Sequence, residues 1–197
     1  MILQPETDDL AAYLAADEVI DHKHPELRRA AAGLATPEAA FHYVRDQVAH
    51  SADAGSYSGA FRASEVLAAR NAICHGKSHL LAALLRAQGV PTGLCYQRLE
   101  DGEGGFVLHA LNAVHLDGRW SRLDARGNRE GVDAQYDLNR ERLAWPVRPE
   151  RGERDYPVVF VAPPASLVRA LARAVPGRFG HDYLPAELPG DASAGLG

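Results

Sequence analysis

The chain has 197 residues, a formal net charge of −5, a 46% hydrophobic fraction and 2 cysteines. That length suits one domain with extensions, and the apolar fraction excludes disorder as the overall state. No apolar run approaches the ~18–20 residues of a membrane span, and the mild acidity argues against a nucleic-acid partner, which needs clustered Lys and Arg. The nearest basic patch, 148–154, is interrupted by Glu150 and Glu153 and reads as a solvated loop. The N-terminus shows no basic region or cleavage pattern, and two cysteines make a poor disulfide framework. Cys74 and Cys95 are therefore expected as free thiols in a reducing cytoplasm.

In chain order, Leu10, Tyr13 and Leu14 form a weak apolar stripe. Pro25 starts an Ala-rich helix with Leu27, Ala31 and Leu34 on one face. Thr36 is suited to cap the next helix, with Pro37 in its first turn and Glu38 at its positive end. Phe41, Val44 and Val48 carry that helix to about residue 49. Residues 50–62, rich in Ser, Gly, Asp and Tyr, read as a loop, and a short helix follows over 63–69. The strongest helix is 74–87, with Leu80, Leu81, Leu84 and Leu85 as its stripe; Gly89 ends it and Pro91 prevents continuation. Strands are predicted over 92–99, 106–116 and 119–124, and Asp117-Gly118 is a two-residue hairpin signal. A further strand at 158–161 and a closing helix over 163–175, with Leu167, Val168, Leu171 and Val175 inward, complete the pattern. Helices first and antiparallel strands second predict an α+β fold. The expected organisation is an N-terminal helical extension (1–35), a core (36–176) and a partly disordered tail (177–197), frayed over 190–197.

Three residues form a candidate chemical constellation. Cys74 opens the strongest helix, where unpaired backbone N–H groups and the helix dipole favour a thiolate. If Asp117-Gly118 is a two-residue turn, Leu116 faces Arg119 and Leu111 faces Asp124. His109 is then a diagonal neighbour of Asp124 on one strand face, while Leu108, Ala110, Val114, Leu116 and Leu123 face a core. Together they have the composition of a Cys–His–Asp nucleophilic site: thiolate attack on a carbonyl, proton transfer by imidazole, and a carboxylate that fixes the imidazole. The Cys74 amide is placed to donate to an oxyanion; a second donor is needed and no residue stands out for it.

The residues around these positions resemble the motifs of the transglutaminase-like superfamily. The cysteine motif is matched by Ser64-Glu65-Val66-Leu67, Ile73-Cys74 and the run from Leu80 to Pro91. The histidine motif is matched from His109 to Trp120 and the aspartate motif by Leu123-Asp124-Ala125. The chain is also similar to a bacterial stand-alone subgroup of transglutaminase-like or cysteine-protease proteins, through 95–99 and 124–128. The resemblance implies a papain-like α+β core, catalytic residues Cys74, His109 and Asp124, a peptide or protein amide as substrate, and neither metal nor other cofactor. Ala72, Leu111, Ala113 and Arg126 depart from the commonest family residues, and none removes a catalytic atom. Glutamine specificity is therefore not carried over. Without the large extra domains of animal transglutaminases, hydrolysis is expected over transamidation. The alternative is an inactive module that holds a peptide in the same groove.

Other residues carry less. His75 and His79 have metal-ligand spacing but no intervening Glu; they share a face with Ala82 and Arg86, and a solvated or supporting role is expected. His22 and His24 belong to a loop, His115 packs on Trp120, and Cys95 is buried. Tyr96, Gln97 and Arg98 either line the cleft or are ordinary strand residues. Ser56, Tyr57 and Ser58 sit in a loop that can bound the groove. Gly102-Glu103-Gly104-Gly105 is a turn, since no helix follows it to cradle a phosphate.

Overall fold

In the computed structural model, which describes residues 1–177 and 183–188, one helix organises everything else. Fourteen elements follow in chain order: β1 (Gln4–Pro5), α1 (Pro25–Ala32), α2 (Pro37–Gln47), β2 (Ala49–His50), α3 (Ser51–Ala54), α4 (Ala63–Ala69), β3 (Asn71–Ala72), α5 (Cys74–Ala87), β4 (Thr92–Glu100), β5 (Phe106–Leu116), β6 (Arg119–Leu123), β7 (Arg154–Asp155), β8 (Val158–Val159) and α6 (Ala165–Leu171). The expected frayed end at 190–197 lies outside the described residues.

The helix starts follow local chemistry. Thr36 caps α2, its hydroxyl accepting from the Ala39 N–H at 3.1 Å. His24 caps α1 through Nδ1, which accepts from the Glu26 N–H at 3.3 Å. At α4, Glu65 turns back to accept from the Arg62 N–H at 3.3 Å, and Asp21 accepts from the Ser64 N–H at 3.0 Å. This second tie locks the segment before α1 onto the helix that precedes the nucleophile candidate.

The main sheet has the order β6-β5-β4-β7, with every neighbour antiparallel. Asp117 and Gly118 both have positive φ, 52° and 74°, as a type I′ turn requires. Leu116 pairs with Arg119 and Asn112 with Leu123, the register read from the turn. Helix α5 packs against β4 and β5 on one side and against α1, α2 and α4 on the other. The core between them holds Leu80, Leu84, Leu94, Leu108, Val114 and Leu123. The opposite sheet face is also covered, by Tyr13, Val159 and Trp120 over Cys95, Leu111 and Ala113. Gly93 permits this covering, because a Cβ there would stand 2.4 Å from Val159 Cγ1 and 3.0 Å from Tyr13 Cε1.

Several expectations need correction. Residues 50–62 are not wholly a loop, since β2 ends at His50 and α3 follows. Helix α6 stops at Leu171, and Val175 is 55% exposed rather than inward. The 148–154 stretch is exposed over 148–152, as expected of a solvated loop, but it is anchored at its end. Glu153 is buried and accepts from the Arg148 backbone N–H and Nε, at 2.7 and 3.0 Å, and from the Glu100 N–H at 3.2 Å. The largest correction concerns α5. Every residue from His75 to Arg86 is buried, so its polar face is not solvated. Arg86 instead donates to the carbonyls of Thr92, Ala15 and Val161.

His79 shows the thermodynamic consequence. Its Nδ1 lies 2.7 Å from the Phe61 carbonyl oxygen, and the ring is fully buried. Burial pushes its pKa down from 6.5 to about 4. Between these values the unfolded chain binds a proton that the folded chain refuses, so stability falls as pH drops through the window. The full excursion is worth about 3 kcal/mol. Urea midpoints are expected to decline from pH 6.5 to 4, and His79→Asn, which retains a donor to Phe61, is expected to flatten that decline. An unchanged slope in the variant would assign the acid loss to other groups.

Candidate active site

Cys74 is the first residue of α5, with Ile73 in extended conformation before it (φ −74°, ψ 173°). Ile73 offers no side-chain cap, so the helix end is left to satisfy its N–H groups otherwise. Close packing behind the first turn needs Gly76: a Cβ there would stand 2.7 Å from Ala72 Cβ and 2.9 Å from the Ala60 carbonyl oxygen. The thiol is half-buried and free; Cys95 is free and buried.

His109 and Asp124 meet beyond the last pair of the β5–β6 ladder. His109 Nε2 stands 2.8 Å from Asp124 Oδ2, and both side chains are buried. Asp124 has further donors. The Arg126 N–H reaches Oδ1 at 3.1 Å and the Ala144 N–H reaches Oδ2 at 3.0 Å. The Trp145 ring stands edge-on to the imidazole, with centroids 5.1 Å apart at 84°.

The electrostatics favour an ion pair. Burial by itself raises the Cys74 pKa, but the charge of His75, the hydrogen bond and charge of His109, and a hydrogen bond from His50 carry it well below 9.0. His75 Nδ1 is 3.5 Å from Sγ. For His109, burial lowers the pKa, yet the charge and hydrogen bond of Asp124, and then those of Cys74, raise it overall. Asp124 is likewise opposed by burial and held low by His109 and its two backbone donors. A thiolate beside an imidazolium, backed by a carboxylate, is the protonation state these shifts describe. Cys95 moves the other way, with burial pushing its thiol up to about 12.

The structure thus brings Cys74, His109 and Asp124 together. His75 lies beside the sulfur, whereas His79 is spent on Phe61. His22 lies 3.1 Å from the Leu14 carbonyl, His24 is the α1 cap, and His115 packs on Trp120 at 5.2 Å. Tyr96 and Gln97 are buried. Tyr57 lines a small hollow with Ser51, Ile73 and Tyr183, while Ser58 donates to the Asn71 carbonyl at 2.6 Å. The charge of Cys74 helps raise the Tyr183 pKa, second to burial, which places Tyr183 on the side of the thiol. Among the described residues no cluster of three or more His, Cys, Asp and Glu is suited to a metal ion. Nor is any described helix long and apolar enough to cross a membrane.

Sequence reasoning missed His50, Trp145, Lys77 and the partner of Arg126. Arg126 pairs with Asp53 from α3 and lies 5.2 Å over the Trp145 ring. Lys77, one turn after Cys74, is buried and donates to the Arg45 carbonyl at 3.2 Å and to the Val48 carbonyl. Burial, then the charge of Arg126, lowers its pKa to about 7. Trp145 is one of only 2 tryptophans in the chain, the one signal that could have singled it out.

A helix-borne thiol packed on an antiparallel sheet that carries a His–Asp pair is the arrangement of the papain-like α+β folds. The transglutaminase-like superfamily model matches residues 21–125, more than half of the chain. The chain belongs to the transglutaminase-like superfamily. A crystal structure of a candidate cysteine protease from Cytophaga hutchinsonii superposes with a TM-score of 0.51 at 18% identity, over 61% of this chain and 43% of that one. A crystal structure of a TGase aligns at a TM-score of 0.40 and 21% identity, over 61% of this chain and 34% of that one. This chain therefore spans less than half the length of either. No protein of curated function matches it.

Proposed function

We propose that this protein is a cysteine-dependent enzyme that cleaves or exchanges an amide bond of a peptide or protein through a thioester on Cys74. Cys74 thiolate attacks the carbonyl carbon, and the carbonyl π pair moves to oxygen. As the tetrahedral species collapses, the imidazolium of His109 gives its proton to the departing amine and the thioester remains. Water or a second amine then attacks the thioester, giving up a proton to His109, and thiolate leaves. Asp124 holds Nε2, which turns the other ring nitrogen of His109 toward the sulfur and stabilises the charged ring.

The observation that carries this reading is the contrast between the two thiols. One is drawn toward ionisation by neighbouring imidazoles at a helix start; the other is buried and held protonated. Iodoacetamide labelling at pH 6, read by peptide mass, tests it. Cys74 is expected to react on the minute scale while Cys95 stays unmodified until the chain unfolds, because only a thiolate is nucleophilic. Equal rates for the two cysteines would remove the basis for the proposal. The acid limb of Cys74 labelling should also lie well below the range of an ordinary thiol.

A further inference from the structure

Two imidazoles besides His109 surround the Cys74 sulfur, and they differ in what lies behind them. His75 is fully buried, so no substrate can touch it. His50 is only half-buried and ends β2, whose register sets it beside Ala72, two residues before the thiol. Its ring lies close enough to Cys74 for the two groups to shift each other's titration. His50 Nδ1 is a buried atom with no hydrogen-bond partner. The groups that face the ring are Cys74, Arg126 and Asp53. No carboxylate bonds its far nitrogen, in contrast to His109. Burial keeps the ring neutral, with Arg126 lowering its pKa further against the opposing pull of Cys74 and Asp53. A neutral imidazole with one committed N–H is a hydrogen-bond donor and a poor proton carrier.

We propose, resting on the acyl-transfer reading above, that His50 is the second donor of the oxyanion site, a ring N–H passing from the Cys74 sulfur to the substrate carbonyl oxygen. Charge and geometry move together in that step. When the C–S bond forms, the sulfur lone pair becomes the bond and the carbonyl π pair becomes the oxyanion. Negative charge therefore leaves the sulfur and arrives two bonds away. A donor placed at the sulfur loses its acceptor as a new one develops beside it. His50 keeps its proton throughout; the proton that reaches the leaving amine comes from His109. Interactions that strengthen only at that point accelerate the reaction rather than tighten substrate binding.

The test uses the full chain and p-nitrophenyl acetate as acyl donor, with p-nitrophenolate release and intact mass as readouts. Iodoacetamide alkylation serves as the control, since it needs the thiolate but develops no oxyanion. His50→Phe, which keeps a ring without a donor, is expected to slow Cys74 acylation about 100-fold and, at about pH 8, where the larger effects of His75 and His109 still keep the thiol ionised, to leave alkylation within about 3-fold. His50→Gln restores a side-chain N–H donor and is expected to recover acylation to within about 10-fold of the parent. Unchanged acylation in His50→Phe would overturn the assignment. So would acylation and alkylation falling together, which a role in ionising the thiol or in folding requires, or a His50→Gln as slow as His50→Phe. A parent protein that forms no Cys74 adduct would instead take down the acyl-transfer reading, and this assignment with it.

Discussion

Cys74→Ala is expected to reduce amide cleavage or exchange by about 10⁴-fold or more while leaving the fold in place. The thiol is half-buried at the helix start, so its loss opens no deep cavity, and alanine suits the first turn of a helix. Removing it also removes a charge that helps hold His109 protonated, so the imidazole of the variant should titrate at lower pH. Three readouts check this: turnover of an amide substrate, the thermal midpoint, and the His109 titration followed by NMR. Retained turnover in Cys74→Ala would end the thioester mechanism. A lost thermal transition would leave the variant uninformative for mechanism, and Cys74→Ser, nearly isosteric but far less nucleophilic, would then replace it.

The second large effect is expected at Asp124. This carboxylate accepts three hydrogen bonds: from the Arg126 N–H on Oδ1, and from the Ala144 N–H and His109 Nε2 on Oδ2. Asparagine cannot satisfy them. With its amide nitrogen at one position it meets the Arg126 N–H, and with the amide turned over it meets both Ala144 and His109. Asp124→Asn should cost about 1–3 kcal/mol of stability, because a buried donor is left without an acceptor in either orientation. The rate should fall by about 10³–10⁴-fold, since the imidazole loses both its orienting partner and the charge that stabilises its protonated form. The pH profile separates these causes. In the parent, activity is lost at low pH as the thiolate protonates and at high pH as His109 gives up its proton. Asp124 is the strongest influence raising the His109 pKa, so the alkaline limb should move to lower pH in Asp124→Asn. A variant with an unshifted alkaline limb would show that another group holds the imidazolium.

Much of this geometry is legible before folding. Thr36-Pro37-Glu38 places the start of α2 because capping and dipole effects act within one turn. The Asp117-Gly118 pair sets the β5–β6 register because a two-residue turn leaves one pairing for every later residue, and that pairing sets His109 diagonal to Asp124. The leucine stripe of α5 and Gly89 bracket the helix that Cys74 opens. In contrast, β1, β2, β3 and β7 have two residues each, too few for any alternation to show. The half of α5 that reads as polar is buried because α1, α2 and α4 cover it, and nothing local to 74–87 announces that cover.

Local chain chemistry sets the order of elements, the helix on which the thiol sits and the ribbon that pairs the imidazole with the carboxylate. These depend on interactions among near neighbours: caps, turn conformations and strand pairing. Tertiary structure alone decided that three imidazoles converge on one sulfur, that Lys77 and His79 are buried, and that Arg126 finds Asp53 and stacks over Trp145. Desolvation and charge proximity depend on distances between residues far apart in the chain. Only the packed sheet and helices bring those distances down to a few ångströms.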